Sequence, residues 1–120
     1  MAMGKGVDIG ADLEHIKPRP RSLALGRRFF AGSEAHWLAA LPIQAHEDAF
    51  LRLWCAKEAV LKAHGRGIAF GLDKLAFGEV GGGLQLLACD PQLGQPQDWT
   101  LLEFVPHAGY RAAIAWRDRR

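Results

Sequence analysis

Residues 45 to 64 constrain the fold more than any other stretch. Ala49, Phe50, Leu53, Trp54 and Leu61, with Val60 at the flank, recur at three- and four-residue steps, the spacing of one apolar helix face. Gly65 follows at the place where a helix closes most readily in a left-handed conformation. A helix with one apolar face has to be covered by other secondary structure. The whole chain has 120 residues, the size of a single domain, so the cover must come from the flanking segments.

Upstream, GVDIGADL (6 to 13) reads as a strand. HIKPRPR must then be a loop, because Pro18 and Pro20 continue neither a ladder nor a helix interior. Ser22 is expected to cap a short helix through Phe30, and Ser33 a second one, SEAHWLAAL, stopped by Pro42. Downstream, LDKLAFGEV and LQLLAC read as a hairpin around GGG. DPQLGQPQD is a loop, WTLLEFV a strand, PHAG a turn and YRAAIAW a last strand. One strand, helices, then three strands make a single α+β domain over residues 1–120, with helices on one face of a mainly antiparallel sheet.

Several classes of function are excluded. About half the residues, 49%, are apolar, but no run approaches a membrane span, and MAMGKG lacks the apolar stretch of a secretory signal, so a cytoplasmic location is expected. Two cysteines without CxxC spacing read as reduced thiols. The formal charge of +2 is too small to argue for nucleic acid, and the exposed aromatic stripe of a single-strand binder is lacking. The basic residues are nonetheless clustered, in KPRPR, Arg27–Arg28 and RDRR. They read either as solvated surface or as a patch for a phosphorylated ligand or an acidic protein.

Asp12 and Glu14 are two apart on the first strand, so both leave one face, and Leu13 is expected to point the other way, into the core. Two adjacent carboxylates stay ionised only with a cation between them; the ordinary alternative is a solvated strand end. On the long helix, Trp54, Glu58 and Lys62 step by four, drifting only about 40° per step, and Lys57 stands about 100° around from Glu58. Glu58 and Lys62 could be a plain surface ion pair. A third carboxylate flanked by lysines is also what a magnesium-plus-phosphate site needs.

IGADLEHIKP (9 to 18), RRFF (27 to 30) with Glu34 after it, and LWCAKEAVLKAHGRG (53 to 67) together resemble the 4′-phosphopantetheinyl transferases, closest to the group named after the surfactin synthetase activator. The last motif, W-x-x-K-E-A-x-x-K-x-x-G-x-G, matches at every fixed position. The resemblance implies transfer of the 4′-phosphopantetheine arm of coenzyme A to a serine of an acyl- or peptidyl-carrier protein. Carried over, Asp12, Glu14 and Glu58 would hold Mg²⁺ and Glu58 would be the general base. Lys62 would stabilise charge on the pyrophosphate with help from Lys57. Arg28 would meet coenzyme A or an acidic carrier helix at the rim, and Trp54 would be a packing residue.

The resemblance covers only the second half of the longer group, whose two similar halves enclose coenzyme A. A homo-oligomer is therefore expected, with a dimer as the first guess and a trimer as the alternative. The other reading is a truncated or degenerate member that binds coenzyme A or carrier protein without turnover. A shorter group, the holo-acyl-carrier-protein synthases, would put the first metal aspartate at Asp8; the DLE sequence followed by KP favours Asp12.

Overall fold

The computed structural model describes residues 6–65 and 70–118. The Arg66–Gly67 end of the GRG motif and the last two arginines lie outside the described residues. The order is β1 (Val7–His15), α1 (Ser22–Phe29), α2 (Gly32–Ala40), α3 (His46–His64), β2 (Leu75–Val80), β3 (Gly83–Cys89), β4 (Thr100–Phe104) and β5 (Tyr110–Asp118). α3 ends as its sequence requires. Gly65 has φ 83°, and its N–H donates to the carbonyls of Leu61 and Lys62, satisfying acceptors that a helix end leaves open.

The strands form two antiparallel sheets, β1-β5-β4 and the hairpin β2-β3. Arg52 of α3 ties them together. It reaches Glu103 of β4 at 2.8 and 3.1 Å and Glu79 of β2 at 3.0 Å, and Glu103 also accepts the backbone N–H of Leu84 on β3 at 2.7 Å. α3 lies across β1 and β5, with α1 and α2 beside it. The core fills the space between, from Phe30 and Leu38 through Leu53 and Val60 to Leu75 and Phe77.

Two local expectations are corrected. Neither serine caps its helix: Arg21 stands at the first cap without a side-chain bond, and Ala31 at the second. There Glu34 reaches back to accept the Ala31 N–H at 3.1 Å, the reciprocal bond of a capping box, while its own N–H donates to the Ala31 carbonyl at 3.0 Å. Leu13 does not enter the core. It is 60% exposed, because the helix side of β1 is taken by Gly10, Asp12 and Glu14, set opposite Ala115, Ala113 and Arg111 of β5. The outer face of the same sheet carries Val7, Ile9 and Leu13 beside Leu102 and Phe104, all exposed to solvent.

Candidate active site

Gly10 decides how the acids meet. A Cβ there would stand 2.3 Å from the Ala59 carbonyl oxygen and 2.4 Å from the Ala63 nitrogen, so β1 and α3 cross backbone against backbone. Ala59 and Ala63 permit this from the helix side, and Glu58 and Lys62 precede them by one residue each. Asp12, the next residue along the same strand face, thus comes beside both. Asp12 and Glu58 are each only 6% exposed, and the Lys62 ammonium donates to Asp12 Oδ1 at 2.7 Å. From one turn earlier on α3 the Trp54 indole donates to Glu14 Oε2 at 3.2 Å.

The electrostatics follow from this crowding. Burial, then hydrogen bonding to Asp12 and its charge, push the Glu14 carboxyl up to about 7, against the opposing pull of Trp54 and Arg19. Glu58 is likewise raised, by burial first and by Asp12 second, with Lys62 opposing. Lys62 is raised, chiefly by its bond to Asp12. One lysine therefore does not neutralise three acids. Asp12 Oδ2 and Glu58 Oε2 are buried with no hydrogen-bond partner, a costly arrangement for carboxylate oxygens unless something positive meets them.

Hard oxygens of this kind suit Mg²⁺, and the neighbouring Cys55 thiol is held protonated, by burial first and then by the charges of Asp12 and Glu14, so it offers no thiolate to softer metals. Among the described residues no three side chains already converge as a ready-made metal cage. Mg²⁺ does not require one, since it usually takes one or two carboxylates and completes its shell with water and phosphate.

Not every expected residue comes here. Lys57 is fully buried on another side of α3. Its ammonium lies 2.6 Å from Glu34 Oε1 and 2.6 Å from the Leu72 carbonyl oxygen, and it also donates to the Leu75 carbonyl. Those three partners use its three donors, so Lys57 has none left for a phosphate, and its expected help there is corrected. Burial pushes Glu34 up and Lys57 down while their mutual attraction opposes both shifts. Arg28 is exposed on α1, its guanidinium 5.2 Å from the Phe29 ring centre. Asp8 pairs with Arg117 at 3.0 Å, about 13 Å along the strand from Asp12 at the usual rise.

Two residues were missed by sequence reasoning. Glu34 was noted in the RFF motif but not as the partner of Lys57; the available signal was a lysine among alanines, which needs a buried acid. Arg19 was submerged in the KPRPR cluster. It lines a cleft of about 270 Å³ together with Glu14, Leu25, Phe29, Phe50 and Trp54, so one of the basic residues stands beside Glu14, the acid at the edge of the site.

Comparisons with known proteins bear on this geometry. A candidate 4′-phosphopantetheinyl transferase of Synechocystis is 36% identical over 115 residues, which are 91% of this chain and 46% of that protein. The 4′-phosphopantetheinyl transferase HetI of Nostoc is 39% identical over 108 residues, 89% of this chain and 42% of its own length. The chain thus spans less than half of these relatives. The fold matches the crystal structure of the Thermotoga maritima holo-[acyl-carrier-protein] synthase with a TM-score of 0.71 at 18% identity, covering 94% of this chain and 64% of that one. The model of the 4′-phosphopantetheinyl transferase superfamily matches residues 8–116, a span that contains all of β1 but its first residue, the whole of α3 and every acid of the site, and the chain belongs to that superfamily.

Proposed function

We propose that the chain transfers 4′-phosphopantetheine from coenzyme A to a serine of an acyl- or peptidyl-carrier protein, in the cytoplasm and with Mg²⁺. The observation that carries this reading is the pair of buried, unpartnered oxygens on Asp12 and Glu58 beside Lys62. Asp12, Glu14 and Glu58 would hold the ion, which when bound supplies positive charge against the pyrophosphate. Glu58 takes the proton of the serine hydroxyl, directly or through water. The serine oxygen then bonds to the phosphorus of the pantetheine phosphate. The bond to the neighbouring phosphate breaks, and adenosine 3′,5′-bisphosphate leaves with the electron pair. Lys62 offsets charge on the phosphate oxygens. Arg19 and Arg28, at or near the cleft, suit the acidic surface of a carrier or a second phosphate of coenzyme A.

A second reading is binding of coenzyme A or carrier protein without turnover; the chain spans less than half the length of these relatives. A homo-oligomer would give the first reading a complete cleft, and the apolar outer face of the β1-β5-β4 sheet supports it. A dimer is the simplest closed form; a trimer is the alternative. The test is mass spectrometry of an apo-carrier protein incubated with coenzyme A, Mg²⁺ and this chain. A gain of one phosphopantetheine supports transfer. Calorimetric binding of coenzyme A without any mass gain supports the second reading.

A further inference from the structure

The sequence reading assigned Trp54 to packing. The structure gives its indole a more specific neighbour. Phe30 of the RFF motif stacks on Phe50 with ring centres 5.1 Å apart and planes at 20°; Phe50 stacks on Trp54 at 6.2 Å and 26°. The last member of this ladder donates Nε1–H to Glu14 Oε2 at 3.2 Å. An indole is a donor only and carries no charge. It can therefore fix one oxygen of a carboxylate without neutralising it, unlike Lys62, which brings a full positive charge to Asp12. Trp54 also sits one turn before Glu58 on α3. The helix that supplies one acid of the site thus also holds the side chain of a second acid, which belongs to β1.

We infer that Trp54 is a positioning residue for Glu14: the Phe30–Phe50–Trp54 ladder pins one oxygen of that carboxylate and leaves the other for a divalent cation. The inference rests on the metal-site reading above and adds a residue that touches neither metal nor substrate. Outer partners of metal-binding carboxylates typically change metal affinity 10- to 100-fold when removed.

The experiment is Mn²⁺ titration followed by electron paramagnetic resonance on wild type, Trp54→Phe, Glu14→Ala and the double variant, with thermal unfolding of each. Phenylalanine keeps an aromatic ring against Phe50 and removes the donor together with part of the indole's bulk, a packing loss that the unfolding measurement reads separately. The expected result is a loss of roughly tenfold or more in Mn²⁺ affinity for Trp54→Phe, and no further loss when it is added to Glu14→Ala. Unchanged affinity in Trp54→Phe, or an equal loss in the Glu14→Ala background, overturns the inference and leaves the metal site standing. No Mn²⁺ uptake by wild type overturns the metal reading and the inference with it. A second measurement needs no mutant that folds less well. The indole N–H resonance of Trp54 in wild type should shift on adding Mg²⁺, and a resonance that stays fixed while Mg²⁺ binds overturns the assignment.

Discussion

Glu58 is the side chain at which chemistry and folding can be separated. Glu58→Gln keeps shape and removes the charge, so if Glu58 is the base proposed above, carrier modification should fall below detection while the thermal midpoint holds or rises. Normal turnover in that variant, read by mass, would falsify its role. Glu14 adds a pH signature. Its carboxyl is raised from 4.5 to about 7 in the folded chain, so the folded state holds its proton more tightly than the unfolded state does. The stabilisation is complete below pH 4.5 and is lost as pH rises through about 7. With chelator present, the unfolding midpoint should decline across that interval, and Glu14→Gln should flatten the decline. Lys57 belongs to folding alone. Removing one partner of a buried pair costs about 3–5 kcal/mol, so Lys57→Met should lower stability by that order in urea unfolding, and adding Glu34→Gln, which removes the orphaned charge but keeps an oxygen for the backbone N–H groups of Ala31 and Phe77, should recover part of it.

At the scale of elements, the crossing of β1 and α3 is set by Gly10. Gly10→Ala forces the two backbones apart, and overpacking of this kind costs about 1–3 kcal/mol. Because Asp12 and Glu58 separate together with the backbones, Mg²⁺ affinity should fall along with the urea midpoint. This crossing also marks the limit of what the sequence discloses. The boundaries of α3 and the succession of strands along the chain were legible because helical spacing, Gly65 and the turn residues are local signals, whereas the division into two sheets and the order β1-β5-β4 depend on pairing between distant segments and were not. The even spacing of Asp12 and Glu14 was legible for the same reason. Which face of β1 turns inward was not. An alternating strand defines two faces, and apolar Leu13 looked like the inward one, whereas a glycine contact with α3 carries the acids inward and leaves Leu13 outside. Lys57 misled in the same way. Helical geometry placed it about 100° from Glu58, but only the folded chain brings Glu34, Leu72 and Leu75 to that side.

On the whole-molecule scale, the outer face of the β1-β5-β4 sheet is the least finished surface. Ile9, Leu13 and Leu102 are 64%, 60% and 50% exposed, and contiguous apolar area of this kind usually marks a contact site. If copies pair through it, Ile9→Lys with Leu13→Glu should shift sedimentation from oligomer to monomer while leaving α3 helical by circular dichroism; an unchanged oligomer would place the contact elsewhere. The sheet order has one more consequence, in time rather than in space. β1, which carries Asp12 and Glu14, pairs among the described residues with β5 alone, Val7 opposite Asp118 and His15 opposite Tyr110. A nascent chain complete through β4 already contains Asp12, Glu14, Glu58 and Lys62, yet β1 still has no strand to zip against. At roughly 5–20 residues per second, about 5–20 s separate the synthesis of these acids from that of their ladder partner. The earliest-made acids of the candidate site therefore gain their strand partner last, and a chain stalled before β5 would hold every side chain of the site with β1 still unpaired in the sheet.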